Sequence, residues 1–448
     1  MATTTARLGL LLVLAETSLL PGCQDPPPPS LVIVTLDTLR ADHLAVYGFG
    51  VETGPAFTAL AERSLLYERA YAPLSITLPS HVSLFTATHP LSHRVLSNLV
   101  GTRDHDPLGA SVTTLAEVVR GEGFQTAAFV SAVPLARHTG LAAGFDVYDE
   151  TESAARAAEE TVTRAVAWLD DDVDPDRPWL LWVHLFDAHW PYEPASDWPA
   201  GLWPEADLAR WRQERDMEAA LSPPGLPPVP VGQAQRAYAR EIRLQDEAMD
   251  RLLDRVAALP GGDRRALVVA GDHGEGLGQH GVPFHGSAWA EQLRIPLVLQ
   301  VPGQPPGRRS ELIAVHDVLP TLATLAPWLP LAGLAPQARL SEETRKLGVL
   351  GLDAPYGRNV AAEPRLVLRN ERWTLVVSPR SSPELYAAED ITERHDLAAQ
   401  EPAVVAELTR AAWARAAQLR EGDEALHPPG SHPAHPLPRW ILTPSQGP

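Results

Sequence analysis

Four stretches of this sequence carry side chains able to hold a cation and handle an anion. LVIVTL runs straight into Asp37-Thr38, with Arg40 close behind. WLLWVHL carries His184 near its end and continues into Asp187, Ala188 and His189. ALVVA is followed by Gly271-Asp272-His273-Gly274-Glu275. A single Asp–His pair says little, because such residues also cap helices. Three apolar runs that each deliver Asp, His or Arg point to a metal-assisted site for an anion. The fourth stretch is PLSITLPSHVSLFTATHP. Pro79 suits a first helical position, so Thr77 and Leu78 are expected just ahead of a helix N-terminus. Unpaired amides there attract anions. A hydroxyl at such a place is either an N-cap or, against a metal, a nucleophile. The residues alone favour the cap.

For these side chains to meet, their strands must end at one rim, because ligands of open α/β sheets collect beyond the carboxyl ends of the strands. Apolar, β-branched runs predict strands at Leu31–Leu36, Thr126–Val130, Trp179–Leu185, Ala266–Ala270 and Pro296–Val301. Helical periodicity covers Ala56–Ala70, Thr114–Arg120, Ala154–Leu169 and Tyr238–Ala258. The alternation predicts an α/β fold: a mostly parallel sheet sandwiched by helices. Residues 190–235, rich in Pro and Trp, are expected as a long insertion. From residue 364 onward the texture changes. RLVLRNERWTLVVSP predicts a hairpin, PELYAAEDITERHDLA a loop, and Val404–Leu419 a helix. The expected organisation is a catalytic domain over 31–330, a small α+β C-terminal subdomain over 331–422, and an extended, solvated Pro/His-rich tail over 423–448.

Composition narrows the classes. The 448 residues hold 37 Lys+Arg against 56 Asp+Glu, a net charge of −19. That balance argues against a sequence-independent grip on nucleic acid. One Cys excludes an internal disulfide and any Cys-rich metal cluster. That Cys follows a short basic start at Arg7 and an apolar run from Leu8 to Ala15. The run is too short to span a bilayer and reads as an export signal over residues 1–22. Leu20-Pro21-Gly22-Cys23 resembles a bacterial lipobox, which implies a lipid on Cys23, a Pro-rich spacer over 23–30 and a membrane-anchored chain outside the cytoplasm.

The chemical stretches, taken in order, resemble the sulfatase family of the alkaline phosphatase superfamily over nearly all of the chain after the spacer. VIVTLDTLRADHLAVYG resembles the family's opening strand and metal loop, and TLPSHVSLFTATHP stands where its C-x-P-S-R nucleophile motif lies. HLFDAHWPY resembles the H-x-x-D-P-H-x-P-Y segment, and GDHGEGLGQHG the S-D-H-G-E motif. FHGSAWAEQLRIPLVL resembles the substrate loop and strand that follow, and ELYAAEDITERHDLA the C-terminal signature. The resemblance implies Asp37, Asp272 and His273 as ligands of one divalent metal ion (Ca, Mn, Mg or Zn), with Thr77 as fourth ligand and nucleophile. It places Arg40, His189 and His285 toward the charged oxygens or leaving group of an anionic ester. His189 or His285 would protonate the departing alkoxide, and His81, His184 and His280 are further candidates around the substrate.

Three positions depart from the family pattern. Formylglycine is made from Cys or Ser at the nucleophile position, but here that residue is Thr77; His81 replaces the motif's arginine, and Thr38 the second carboxylate of the usual Asp-Asp pair. Thr nucleophiles resemble the superfamily's phosphoryl and phosphonyl transfer enzymes, including lipoteichoic acid synthase-like and phosphoethanolamine transferase-like members. Three readings follow: a metal-dependent hydrolase of a sulfate or phosphate ester, a phosphotransferase or phosphodiesterase using Thr77, or a non-catalytic binding protein on the same fold.

Overall fold

The computed structural model describes residues 29–98, 108, 112–192, 231–334, 348–353, 364–426, 437, 438 and 441. Strand β1 (Ser30–Leu36) is buried along its whole length and lies inside an eight-stranded sheet. It pairs in parallel with β5 (Trp179–Leu185) on one side and β6 (Arg265–Gly271) on the other. Beyond β5 come β3 (Gln125–Val130) and β4 (Val147–Asp149), both parallel. Beyond β6 come β9 (Arg294–Gln300), β2 (Leu65–Tyr71) and β10 (Gly307–Ala314), of which β9 runs against the rest. Leu36 pairs with both Leu185 and Gly271, so three strands finish level and their next residues leave the sheet at one rim.

Each face of the sheet carries its own apolar layer. Leu31, Ile33, Trp182 and Val268 pack on one side with Phe85 and Leu115. Val32, Val34, Val183 and Val269 pack on the other with Leu60 and Leu252. Consecutive residues of a strand point to opposite faces, which is why β1 must be apolar throughout. The covering helices are α1 (Pro55–Glu62), α2 (Thr77–Thr86), α3 (Pro90–His93), α4 (Leu115–Gly121), α5 (Ala158–Asp171) and α6 (Val231–Ala258). A Thr114/Glu117 capping box starts α4. The first amides of α1, from Ala56 and Phe57, donate to the carboxylate of Asp246 on α6, so a distant helix supplies the cap.

The expected helix over Ala56–Ala70 is corrected: it stops at Glu62, and Leu65–Tyr71 is strand β2. LLYERAY has leucines that suit a helix, but the open slot between β9 and β10 buries both its ends. Tertiary packing overrides weak local preference there. The helix holding Thr77 also begins earlier than expected, at Thr77 itself, with Ile76 in the N-cap position.

A two-stranded antiparallel ribbon, β7 (Gly276–Leu277) with β8 (Pro283–Phe284), and helices α7 (Ala290–Leu293) and α8 (Val318–Leu325) follow the rim. The C-terminal unit is an antiparallel sheet of β11 (Val349–Leu352), β12 (Leu366–Arg369), β13 (Trp373–Val377) and β14 (Glu384–Ala387). The Asn370 side-chain oxygen accepts from the amides of Arg372 and Trp373 and closes the β12–β13 hairpin. Helix α9 (Pro402–Leu426) covers this sheet, and Leu408, Ala412 and Ala416 join its apolar layer. The tail is not wholly solvated as expected, since Leu437 and Ile441 are buried in the same layer. Cys23, most of the 190–235 insertion and the tail histidines lie outside the described residues. No helix among the described residues is long and apolar enough to cross a membrane.

Candidate active site

The level strand ends bring Asp37 and Asp272 together directly beyond β1 and β6. One ligand atom each from Asp37, Asp272 and His273 falls within 4.8 Å of the others, and all three residues are buried. Asp272 Oδ1 accepts from the amides of His273 at 2.7 Å and Thr38 at 3.0 Å. Its Oδ2 and the Oδ1 of Asp37 are buried with no hydrogen-bond partner. Burial raises both carboxyl pKa values above the usual carboxylate range; Glu275 adds to the rise at Asp37, and Asp37 to that at Asp272. Two unpaired carboxylate oxygens in a dry place are costly unless a cation joins them. The donor set of two carboxylates and one imidazole therefore fits a divalent metal ion.

Thr77 stands beside this group. Its Oγ1 is 3.4 Å from His273 Nε2, and with Ile76 at the N-cap the hydroxyl is not spent on capping. His81, one turn along α2, accepts or donates at both ring nitrogens: Nδ1 lies 2.8 Å from the Thr77 carbonyl and Nε2 2.9 Å from Thr35 Oγ1. The indole of Trp182 donates to that same hydroxyl at 3.0 Å. The Thr77 carbonyl can only accept, so the one proton of the neutral His81 ring sits on Nδ1, and Thr35 donates to Nε2. A second group, His81, His184 and Asp272, also brings ligand atoms within 4.8 Å. Since both nitrogens of His81 are engaged, the Asp37–Asp272–His273 group is the better cation site.

Thr38 turns the chain between Asp37 and Arg40 at φ 53°, a conformation a β-branched residue rarely adopts. Tyr238 on α6 holds this turn, donating its hydroxyl to the Thr38 carbonyl and accepting from the Arg40 amide. His184 Nε2 is 3.1 Å from Asp37 Oδ2, which aims that carboxylate, while burial pushes the imidazole down to about 3.

Around the other side stand His189, His273 and His285. The His285 ring is 4.8 Å from that of His273 and 5.1 Å from that of His189. His285 Nδ1 is 3.2 Å from Glu275 Oε1. Burial works against protonating His285, but Glu275, Asp37 and Asp272 outweigh it and raise its pKa. Burial and the neighbouring His285 push His189 down to about 4, and its ring stacks on Phe186. The two histidines are thus pushed apart, His285 upward and His189 downward.

Other expected residues are engaged elsewhere. Arg40 is bound at 2.8 and 2.7 Å to both carboxylate oxygens of Asp42, with its third nitrogen on the Glu275 carbonyl and Gln279. Its charge is kept despite burial by that pairing. Asp187 receives the amide of Ala158 and so caps α5. His280 stacks on Trp289 at 3.9 Å and contacts Glu291. Glu275 and Thr35 also serve the site, though neither was given a role from the sequence. Thr35 had a visible signal, being the lone polar side chain within LVIVTL, and Glu275 lies inside the motif that supplied Asp272 and His273.

A family model described as Sulfatase matches residues 29–327. The chain belongs to the sulfatase family. Choline-sulfatase of Rhizobium meliloti (strain 1021) is 27% identical over 167 residues, 36% of this chain and 32% of that protein. Human iduronate 2-sulfatase is 22% identical over 383 residues, 66% of this chain and 68% of that protein. The chain thus spans about a third of the first of these relatives and about two thirds of the second. Among solved structures, the phosphonate monoester hydrolase of Agrobacterium radiobacter superposes with TM-score 0.68 at 20% identity, covering 88% of this chain and 96% of that one. A structure in complex with its substrate D-glucosamine-2-N,6-O-disulfate gives the same TM-score at 16% identity, covering 89% and 99%. The sulfatase fold thus holds both the sheet and the antiparallel C-terminal unit.

Proposed function

We propose that this sulfatase-family chain is a metal-dependent ester hydrolase whose nucleophile is the hydroxyl of Thr77. The observation that carries this is the placement of Thr77 Oγ1 beside His273, at a helix start, next to two buried carboxylates with unpaired oxygens. Asp37, Asp272 and His273, with Thr77, would hold a divalent ion, which when bound lowers the pKa of the hydroxyl and neutralises charge on the anion. The chain's own residues supply the rest. The start of α2 turns the positive end of its helix dipole toward the Thr77 side chain, while the Leu78 amide is taken by Asn98 Oδ1, Pro79 has none, and the Ser80 amide donates to the Ile76 carbonyl. His81 fixes the backbone of Thr77 through its carbonyl, and His184 aims Asp37. His285, whose pKa Glu275 raises through Nδ1, would use its other nitrogen, Nε2, as the acid that protonates the leaving oxygen. His189 stays neutral beside it; its Nδ1 donates to the Trp190 carbonyl, which leaves Nε2 as a proton acceptor.

Within the ester class, Thr77 favours phosphorus over sulfur. A threonine is not a source of formylglycine and keeps a simple hydroxyl, which can form and lose a phosphoester in two displacements. The testing experiment is a panel of aryl sulfate, aryl phosphate diester and aryl phosphonate, run on protein lacking residues 1–23 with Mn, Zn, Mg and Ca in turn. Diesters or phosphonates should turn over fastest; the reverse ranking assigns the site to sulfate. No turnover of any class with any of these ions would leave a binding protein. Thr77→Ala should lower kcat by at least about a thousandfold with the fold unchanged. We further propose that Cys23 carries a lipid and keeps the enzyme in the cell envelope; retention of Cys23→Ala in the membrane fraction would defeat this.

A further inference from the structure

We infer that three buried charged residues of the C-terminal unit, Asp353, Arg369 and Glu393, are positioning residues that fix His285 relative to Thr77. This rests on the proposed role of His285 as acid. His285 opens a short segment, residues 286–290, whose backbone is held almost amide by amide. On the near side, Ser75 accepts from the amide of Gly286 at 3.0 Å and donates to the carbonyl of Ser287 at 2.8 Å. Ser75 lies two residues before Thr77, so it ties the acid's loop to the nucleophile's helix.

On the far side the C-terminal unit takes over. Asp353 Oδ1 accepts from the amide of Ala288 at 2.6 Å, and Arg369 donates to the carbonyl of Ala288 at 2.9 Å. Glu393 Oε2 accepts from the amide of Ala290 at 2.9 Å, while its Oε1 pairs with Arg369 at 2.6 Å. All three side chains are buried, none more than 3% exposed. Glu393 sits at φ 47°, a conformation unusual for a residue with a side chain. Buried ion pairs are a poor way to gain stability, since apolar residues of similar size serve as well or better. Their use here is geometric. Asp353 also pairs with Arg365 at 2.9 Å and Arg369 with Glu393, yet all three set an atom on the backbone of the one loop that carries His285, and strained backbone is retained where function requires it. A loop fixed from both sides cannot drift, and a displacement of about 1 Å in such a site costs about a hundredfold in rate.

The test uses the leaving-group dependence of turnover on the full-length enzyme. A general acid matters most for a poor leaving group, so His285→Ala should slow a phenyl ester far more than the matching 4-nitrophenyl ester. Glu393→Gln leaves a neutral amide beside Arg369 and weakens the grip on Ala290. It should lower the phenyl to 4-nitrophenyl rate ratio about tenfold in the same direction, and add little once His285 is already Ala. The ratio is read on one preparation, so a partly unfolded fraction cancels. Asp353→Asn is assayed in the same way and should shift the ratio in the same direction. If His285→Ala changes the ratio and neither Glu393→Gln nor Asp353→Asn does, the positioning role falls while the acid assignment stands. If no variant changes it, the acid assignment fails and takes the positioning role with it.

Discussion

At the residue level, the site turns on two buried carboxylate oxygens that have no hydrogen-bond partner, Asp37 Oδ1 and Asp272 Oδ2. Asp37 and Asp272 are raised in pKa by burial, so the folded chain without metal holds their protons more tightly than the unfolded chain does. The sign follows from linkage: a carboxyl raised above its unfolded value contributes stability at low pH and loses it as pH rises past about 4, the unfolded carboxyl value, toward the raised value. Metal-free protein should therefore melt at progressively lower temperature from acid toward neutral pH, and added divalent ion should reverse the loss by binding the folded state. Asp37→Asn should raise the melting temperature of metal-free protein at neutral pH while weakening metal binding. Calorimetry with and without chelator checks both, and an Asn variant that melts lower without metal would contradict the cation-site reading. Of these residues, Asp37, Asp272, His273 and Thr77 were legible in the sequence as strand-end or helix-start residues. The pairing of His285 with Glu275, and of His81 with Thr35, was not, because nothing in linear spacing says which imidazole nitrogen is already taken.

At the scale of elements, the loop after β6 is confined by what lies against it. A Cβ on Gly274 would stand 2.2 Å from the carbonyl oxygen of Glu291, closer than any real contact allows. The Gly274 amide also donates to the Gln292 carbonyl at 2.8 Å, so the loop and the turn into β9 are joined there. Gly274→Ala should cost about 1–3 kcal/mol of unfolding free energy, as overpacking does, and should lower activity because His273 is the neighbouring residue. Urea unfolding and a turnover assay on the same variant measure this; unchanged values in both would show that the loop can yield. The short apolar strands β1, β5 and β6 were readable because a strand buried on both faces has no polar alternation to confuse it. Strand β2 was not, since its leucines and alanine suit either structure and only the space between β9 and β10 chooses. The opposed direction of β9 is also a property of its neighbours and not of its residues.

At the scale of the whole molecule, the C-terminal unit is joined to the main sheet by contact and extended by the chain's last residues. Leu437 and Ile441 are buried in its apolar layer, and Arg420 donates to the Ile441 carbonyl at 2.9 Å. Deleting residues 437–448 should therefore destabilise the protein by about 3 kcal/mol, the worth of burying two large aliphatic side chains. A chain shortened in this way that melts at the parent temperature would show that these residues do not contribute. Local pattern and residue type were enough for the alternation of strands and helices, for the strand ends that deliver carboxylates and imidazoles, and for a threonine, Thr77, at a helix start. It took the packed fold to show that three strands end level, that Arg40 is paired with Asp42, and that the loop of His285 is held between Ser75 and the buried charges of the C-terminal unit. Those outcomes depend on register and on contacts between residues far apart in the chain, for which a sequence pattern carries no distance.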